Sequence, residues 1–269
     1  MPETLPLFQI DAFSSRLFAG NPAAVVLLER PLADGTLQAI AAENNLSETA
    51  YVETLAPGKY RIRWFTPTVE VDLCGHATLA AAWVLRHECG DTSSTLQFDS
   101  TSGPLAVHAA DNRLALDFPA RPAQPCPLPQ AQVLDALGLP AADFIGQARD
   151  TLVVLGDADA VMALTPDMDA IRELDSFAIT VTAPGADCDF VSRFFAPAQG
   201  INEDPVTGSA HCTLAPYWAQ RLGRTSLSAR QLSARGGELH CTVSEDRVHI
   251  AGDCRCFLRG HISLQDGQA

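Results

Sequence analysis

The chain has 269 residues, 18 Lys+Arg against 32 Asp+Glu, a formal net charge of −14 and 47% hydrophobic residues. That composition builds a full core and excludes both disorder and a miniprotein, while a length near 270 leaves one large domain or two ordinary ones open. The acidity repels phosphate backbones and anionic lipid, so neither nucleic acid nor a membrane surface is an expected partner.

The opening MPETLPLFQIDAF lacks a basic segment followed by an apolar one, and no apolar run reaches about 18 residues. A cytoplasmic location is expected. Leu7 to Phe13 and Ala23 to Leu28 are β-rich and flank a Gly-Asn-Pro turn. Leu37 to Glu43 has helical spacing, and Ala50 to Glu53 and Tyr60 to Phe65 alternate as strands do. After Gly75 the run HATLAAAWVLRHE is almost entirely good helix formers, with Cys89-Gly90 as its stop. Alanine on every side predicts a helix buried all round. Pro104 to Ala109 and Arg113 to Phe118 read as a β-hairpin turning at Asp111-Asn112. Five prolines then fall in the eleven residues 119–129, a stretch expected neither to pair in a sheet nor to continue a helix.

This linker lies near the middle, and the sequence repeats across it. Val25-Val26-Leu27 matches Val153-Val154-Leu155, and Arg63-Trp64-Phe65-Thr66-Pro67 matches Arg193-Phe194-Phe195-Ala196-Pro197. HATLAAAW from position 76 matches HCTLAPYW from 211, and GPLAVHAADNRLAL from 103 matches GELHCTVSEDRVHI from 237. Four matches in one order imply a tandem duplication. The expected domains are 1–118, the linker 119–129 and 130–269, with the last strand free to return to the first half. Each half is expected to be a mostly antiparallel sheet curled around one apolar helix, the halves related by a pseudo-twofold axis, with a binding site between them.

A polar, glycine-containing turn precedes each central helix: Asp72-Leu73-Cys74-Gly75-His76 in the first half and Glu203 to His211 in the second. Helix N-termini attract carboxylate or phosphate through free N–H groups and the helix dipole. Capping by Asp204, Thr207 and Ser209 is the plainer account of one such turn, and two at matched positions favour function. Glu48, in Asn44-Asn45-Leu46-Ser47-Glu48-Thr49, is by spacing alone an ordinary loop carboxylate. The eight cysteines include no CxxC pair and read as buried thiols. His87, His108, His240, His249 and His261 lack ligand spacing, and Gly236-Gly237 reads as a tight turn, so no metal or phosphate loop is expected.

FAGNPAAVV (18–26), NNLSETAYV (44–52), VDLCGHATLAAAWVL (71–85) and EDPVTGSAH (203–211) together resemble the PhzF-like isomerases of the phenazine-biosynthesis family. The resemblance implies an α+β fold shared with diaminopimelate epimerase and proline racemase. It further implies Glu48 as the proton-transferring group, His76 and Asp204 as residues that hold the substrate, and backbone amides around Gly75, Gly208 and Ser209 as binders of its carboxylate. The substrate would be a small carboxylate; no metal or organic cofactor is implied, and a homodimer is. Moving a proton between carbons of a conjugated acid needs one group that accepts it and returns it elsewhere, which a carboxyl in a closed site can do. Related racemases pair two thiols, each directly before a glycine. Here the positions are Cys74 and Thr207, a pairing unsuited to two-thiol chemistry. An amino-acid racemase or epimerase using Cys74, or a binding protein on the same fold, stand as alternatives.

Overall fold

The computed structural model describes residues 3–110 and 113–264, so the expected Asp111-Asn112 turn lies outside the described residues. The chain forms two compact units, 1–117 with 251–269, and 118–250. In the first, β1 (Glu3–Ala12) runs antiparallel to β2 (Asn21–Leu28), and α1 (Asp34–Asn44) leads to β3 (Glu48–Ala56), parallel to β2. β4 (Lys59–Phe65) returns antiparallel to β3 and carries the short β5 (Glu70–Val71). After α2 (Gly75–His87), β6 (Thr95–Ser100) lies parallel to β4, followed by β7 (Gly103–Ala110) and β8 (Arg113–Pro119) as antiparallel neighbours.

The second unit begins with β9 (Gln124–Pro125), α3 (Gln130–Leu137), β10 (Phe144–Gln147) and β11 (Thr151–Val154). Two short helices, α4 (Ala158–Met162) and α5 (Met168–Arg172), precede β12 (Ile179–Pro184) and β13 (Phe190–Phe195). Then come α6 (His211–Leu222), β14 (Ser226–Gln231), β15 (Gly237–Ser244) and β16 (Arg247–Gly252). Finally β17 (Cys254–Leu264) rejoins the first unit, antiparallel to β1.

The duplication legible in the residues reappears in the pairing. β1/β2, β3/β4 and β6/β7 are antiparallel, with β2/β3 and β4/β6 parallel. β10/β11, β12/β13 and β14/β15 are antiparallel, with β11/β12 and β13/β14 parallel, in the same order.

One expectation is corrected. The proline-rich stretch does pair: Gln124 and Pro125 lie opposite Gln147 and Gly146, giving β10 the partner that β17 gives β1. A two-residue edge strand accommodates Pro125 because its missing N–H falls where no ladder bond is required. Residues 118–129 therefore belong to the second unit, and β17 to the first.

The central helices carry the cores. In α2, His76 through Ala82 together with Val84 and Leu85 are buried, as an all-apolar helix requires. In α6, Trp218 is 1% exposed, stacks on Phe190 at 5.8 Å and donates its indole N–H to Thr182 Oγ1 at 3.0 Å. Pro216 inside α6 supplies no N–H to the carbonyl of Cys212 four residues back. The backbone N–H of Arg121 donates to that carbonyl instead, at 2.8 Å, which fastens the proline-rich stretch to the helix.

The β1-to-β2 reversal also differs from expectation. Asn21 and Pro22 already lie in β2, and the turn occupies the residues before them, ending at Gly20 with φ +71°. A Cβ at Gly20 would sit 2.2 Å from the Ala12 carbonyl oxygen, in a backbone region that side chains strain. Gly20→Ala is expected to cost about 2 kcal/mol and to displace Asn21, read as a lower denaturant midpoint; an unchanged midpoint would contradict this account.

Candidate active site

Glu48 is the first residue of β3 rather than a loop residue, held there by the parallel pairing of Ala23 with Glu48. Cys74 is the N-cap of α2, and His76 lies in its first turn. These elements bring three predicted residues together. His76 Nε2 stands 3.2 Å from Glu48 Oε2, with the two side chains only 6% and 12% exposed. On the other edge of the ring, His76 Nδ1 lies 3.2 Å from Asn21 Nδ2 and 3.5 Å from Cys74 Sγ. Glu48 Oε2 and His76 Nε2 are an ion-pair distance apart but not in hydrogen-bonding alignment, and neither has another hydrogen-bond partner among the described residues.

Electrostatics separates their roles. Burial opposes charge on His76, but its contacts with Cys74 and Glu48 raise the imidazole above its ordinary range, and with Cys74 kept as the thiol it is Glu48 that sustains the shift. Burial, and then the charge of Glu48, push the Cys74 thiol up to about 11, so at neutral pH it is a thiol that lies beside the His76 ring. A thiol in that state is a poor nucleophile and a poor base.

In the second unit, Asp204 and Thr207 are buried, and the Thr207 hydroxyl donates to Asp204 Oδ2. Gln231, 1% exposed on β14, fixes this loop from beside it. Its Oε1 accepts from the Thr207 N–H at 2.9 Å, and its Nε2 donates to the Asp204 carbonyl at 2.8 Å and to Thr207 Oγ1 at 3.2 Å. At the other end, Arg193 holds Glu203 through two bonds of 2.7 and 3.0 Å. Gly208 and Ser209 lie in the turn that winds into α6, their carbonyls accepting from the His211 and Cys212 N–H groups. Neither N-cap residue, Cys74 or Ala210, makes a side-chain capping bond, and Thr207 turns to Asp204 instead.

The repeat makes His211 the counterpart of His76, yet its environment differs. His211 is fully buried, its Nδ1–H donates to the Thr207 carbonyl at 2.9 Å, and burial pushes it down to about 4. Glu48 has no acidic counterpart, because the repeat carries Ala23 to Thr151, whose parallel partner is Ile179. His76 is accordingly expected to titrate above the ordinary imidazole range and His211 to remain neutral at pH 5. Ring 15N shifts, assigned with single His→Gln variants, check both, and the reverse order of titration would contradict the charge assignment.

Asn21 and Gln231 adjoin these residues without a sequence signal that marks them. Asn21 lies in FAGNPAAVV, where a Gly-Asn-Pro string looks like a turn, and Gln231 carries no local signal, since the β13/β14 pairing of Ser192 with Gln231 brings it to the loop. Metal ligands were not expected from spacing, yet Glu48, Cys74 and His76 each offer a donor atom within 4.8 Å of the others.

The phenazine biosynthesis-like protein family matches residues 10–260. A Pseudomonas aeruginosa protein named an uncharacterized isomerase is 52% identical over 260 residues, covering 97% of this chain and 99% of its own. The crystal structure of a phenazine biosynthesis protein of the PhzF family from Enterococcus faecalis superposes with a TM-score of 0.94 at 46% identity, over 97% of this chain and 100% of that one. A probable proline racemase from Agrobacterium radiobacter, at 11% identity and a TM-score of 0.62 over 98% and 94% of the two chains, shares the fold alone. With its α+β architecture and nearly full-length matches, the chain belongs to the phenazine biosynthesis-like, PhzF-type family.

Proposed function

We propose that this protein is a cofactor-independent isomerase that moves a proton between two carbons of a small, conjugated carboxylate, with Glu48 as the single acid/base. The observation that carries this reading is the buried Glu48–His76 pair at 3.2 Å, polar atoms facing each other without hydrogen-bond partners among the described residues. Glu48 takes a proton from one carbon, the electron pair spreads through the conjugated acid, and the same carboxyl returns the proton to another carbon. Atoms and electrons balance without a redox partner. The imidazolium of His76 orients Glu48 and the substrate. Asp204, fixed by Thr207 and Gln231, is a further substrate-holding group in this reading, and the amides around Gly75, Gly208 and Ser209 are its carboxylate binders. A cytoplasmic homodimer with no nucleic-acid partner completes the reading, on the family resemblance and the acidic charge.

A single base also fits the inequality of the two repeats: Ile179, His211 and Thr207 stand where a second proton-transfer group would be needed. The racemase alternative requires Cys74 to ionise, against the burial and the neighbouring carboxylate that raise it. Cys74→Ser is therefore expected to lower turnover by less than about tenfold, well short of the 10²-fold or more that removing an acid/base costs. Loss of α-carbon deuterium exchange in that variant would favour the racemase instead. The decisive test of the main reading is a crystal structure with a conjugated cyclic carboxylic acid: a ligand carbon about 3–3.5 Å from the Glu48 carboxylate is expected. Ligand bound away from Glu48 would overturn the reading.

A further inference from the structure

We propose that Glu48, Cys74 and His76 also form a binding site for a thiophilic divalent cation, zinc above all, whose occupation takes Glu48 out of proton transfer. The site itself rests on the geometry of these side chains, and its effect on turnover rests on the proposed role of Glu48.

The donor set is one carboxylate, one thiolate and one imidazole, the three protein ligand types that zinc prefers. Their donor atoms all lie within 4.8 Å of one another and are buried. With bond lengths of about 2.3 Å to sulfur and 2.0–2.2 Å to nitrogen and oxygen, a tetrahedral ion sets its S and N donors about 3.5 Å apart and its N and O donors about 3.3 Å apart. The observed separations are 3.5 Å for Cys74 Sγ to His76 Nδ1 and 3.2 Å for His76 Nε2 to Glu48 Oε2. An ion binds one ring nitrogen, so Glu48 or Cys74 must rotate toward the other edge of the imidazole, a side-chain adjustment that the 4.8 Å limit keeps small.

Two further features favour a metal over a chance gathering. Glu48 Oε2 and His76 Nε2 have no aligned hydrogen-bond partner among the described residues, so an ion would replace only their mutual ion pair and the Cys74 contact with His76. Two of the ligands come from a helix start and the third from a strand end, elements whose backbone is fixed by the fold. Three protein ligands leave a fourth position open to water or to the carboxylate of a bound acid. Binding releases the protons of Cys74 and His76 and joins carboxylate, thiolate and imidazole to one cation, with no change of oxidation state.

The test titrates the full-length, reduced protein with Co2+ alone and follows the sulfur-to-cobalt charge-transfer absorption, then displaces the cobalt with Zn2+. A band saturating at one equivalent and bleached by Zn2+ is expected. Cys74→Ser should abolish it, and Glu48→Gln and His76→Asn should each weaken cobalt binding by at least about tenfold, with circular dichroism confirming that the variants fold. No band in the wild-type protein, or a band that survives Cys74→Ser, overturns the site. Turnover of Glu48→Gln is a separate readout: a band in the wild type with activity retained in that variant would uphold the metal site and refute the acid/base, and the converse would do the reverse.

Discussion

Glu48→Gln is expected to lower turnover by about 10²–10⁴-fold, the range that a positioned acid/base contributes. The substitution keeps the shape of the side chain and the start of β3 and removes the ability to carry a proton. It also removes the negative charge that faces His76. Burial then acts on that imidazole with less opposition, so the His76 pKa should fall in the variant. The two effects are measured separately: turnover by deuterium wash-in from solvent with a panel of conjugated acids, and ring protonation by 15N shifts. Loss of turnover with a lowered His76 pKa supports the assigned roles. Full turnover in Glu48→Gln would remove Glu48 from the chemistry, whatever the imidazole does.

How much of this was legible beforehand follows from how local each signal is. The α2 helix announced itself because alanine and leucine on every side are a property of consecutive residues, and the buried run from His76 to Ala82 follows from it. The duplication was legible for the same reason, through short matched strings. The proline-rich stretch misled because proline rules speak of interior strands, whereas Pro125 sits in a two-residue edge strand opposite Gly146. Asn21 was hidden by the same kind of shortcut, a Gly-Asn-Pro string read as a turn while Asn21 pairs with Ala12 inside the sheet.

The cluster in the first unit shows the limit more sharply. Glu48, Cys74 and His76 were each singled out, but their convergence depends on the register that sets Glu48 beside Ala23 and on where α2 begins. Charge states follow only from that convergence. His76 and His211 occupy matched places in the repeat, and no local pattern separates them. Their opposite shifts arise from Glu48 and Cys74 beside one ring and from burial around the other, which outweighs the hydrogen bond to the Thr207 carbonyl.

Gln231 had no sequence signal at all, and it carries the second large prediction. Its amide both accepts the Thr207 N–H and donates to the Asp204 carbonyl, closing the loop that holds Asp204, Gly208 and Ser209. Gln231→Leu fills similar space but leaves a buried N–H and a buried carbonyl without this partner, at about 1–3 kcal/mol each. The expected loss is about 3–5 kcal/mol of stability, read as a lower denaturant midpoint at unchanged slope. Gln231→Glu distinguishes packing from hydrogen bonding, because it still accepts from Thr207 but brings a carboxylate toward the Asp204 carbonyl and the Asp204 side chain. It should retain the Thr207 contact and still weaken the loop. If Gln231→Leu were as stable as the wild-type protein, the amide would not be what holds the loop. If it were destabilised with turnover per folded molecule unchanged, Asp204 would not need this position, and its proposed role in holding substrate would fail with it.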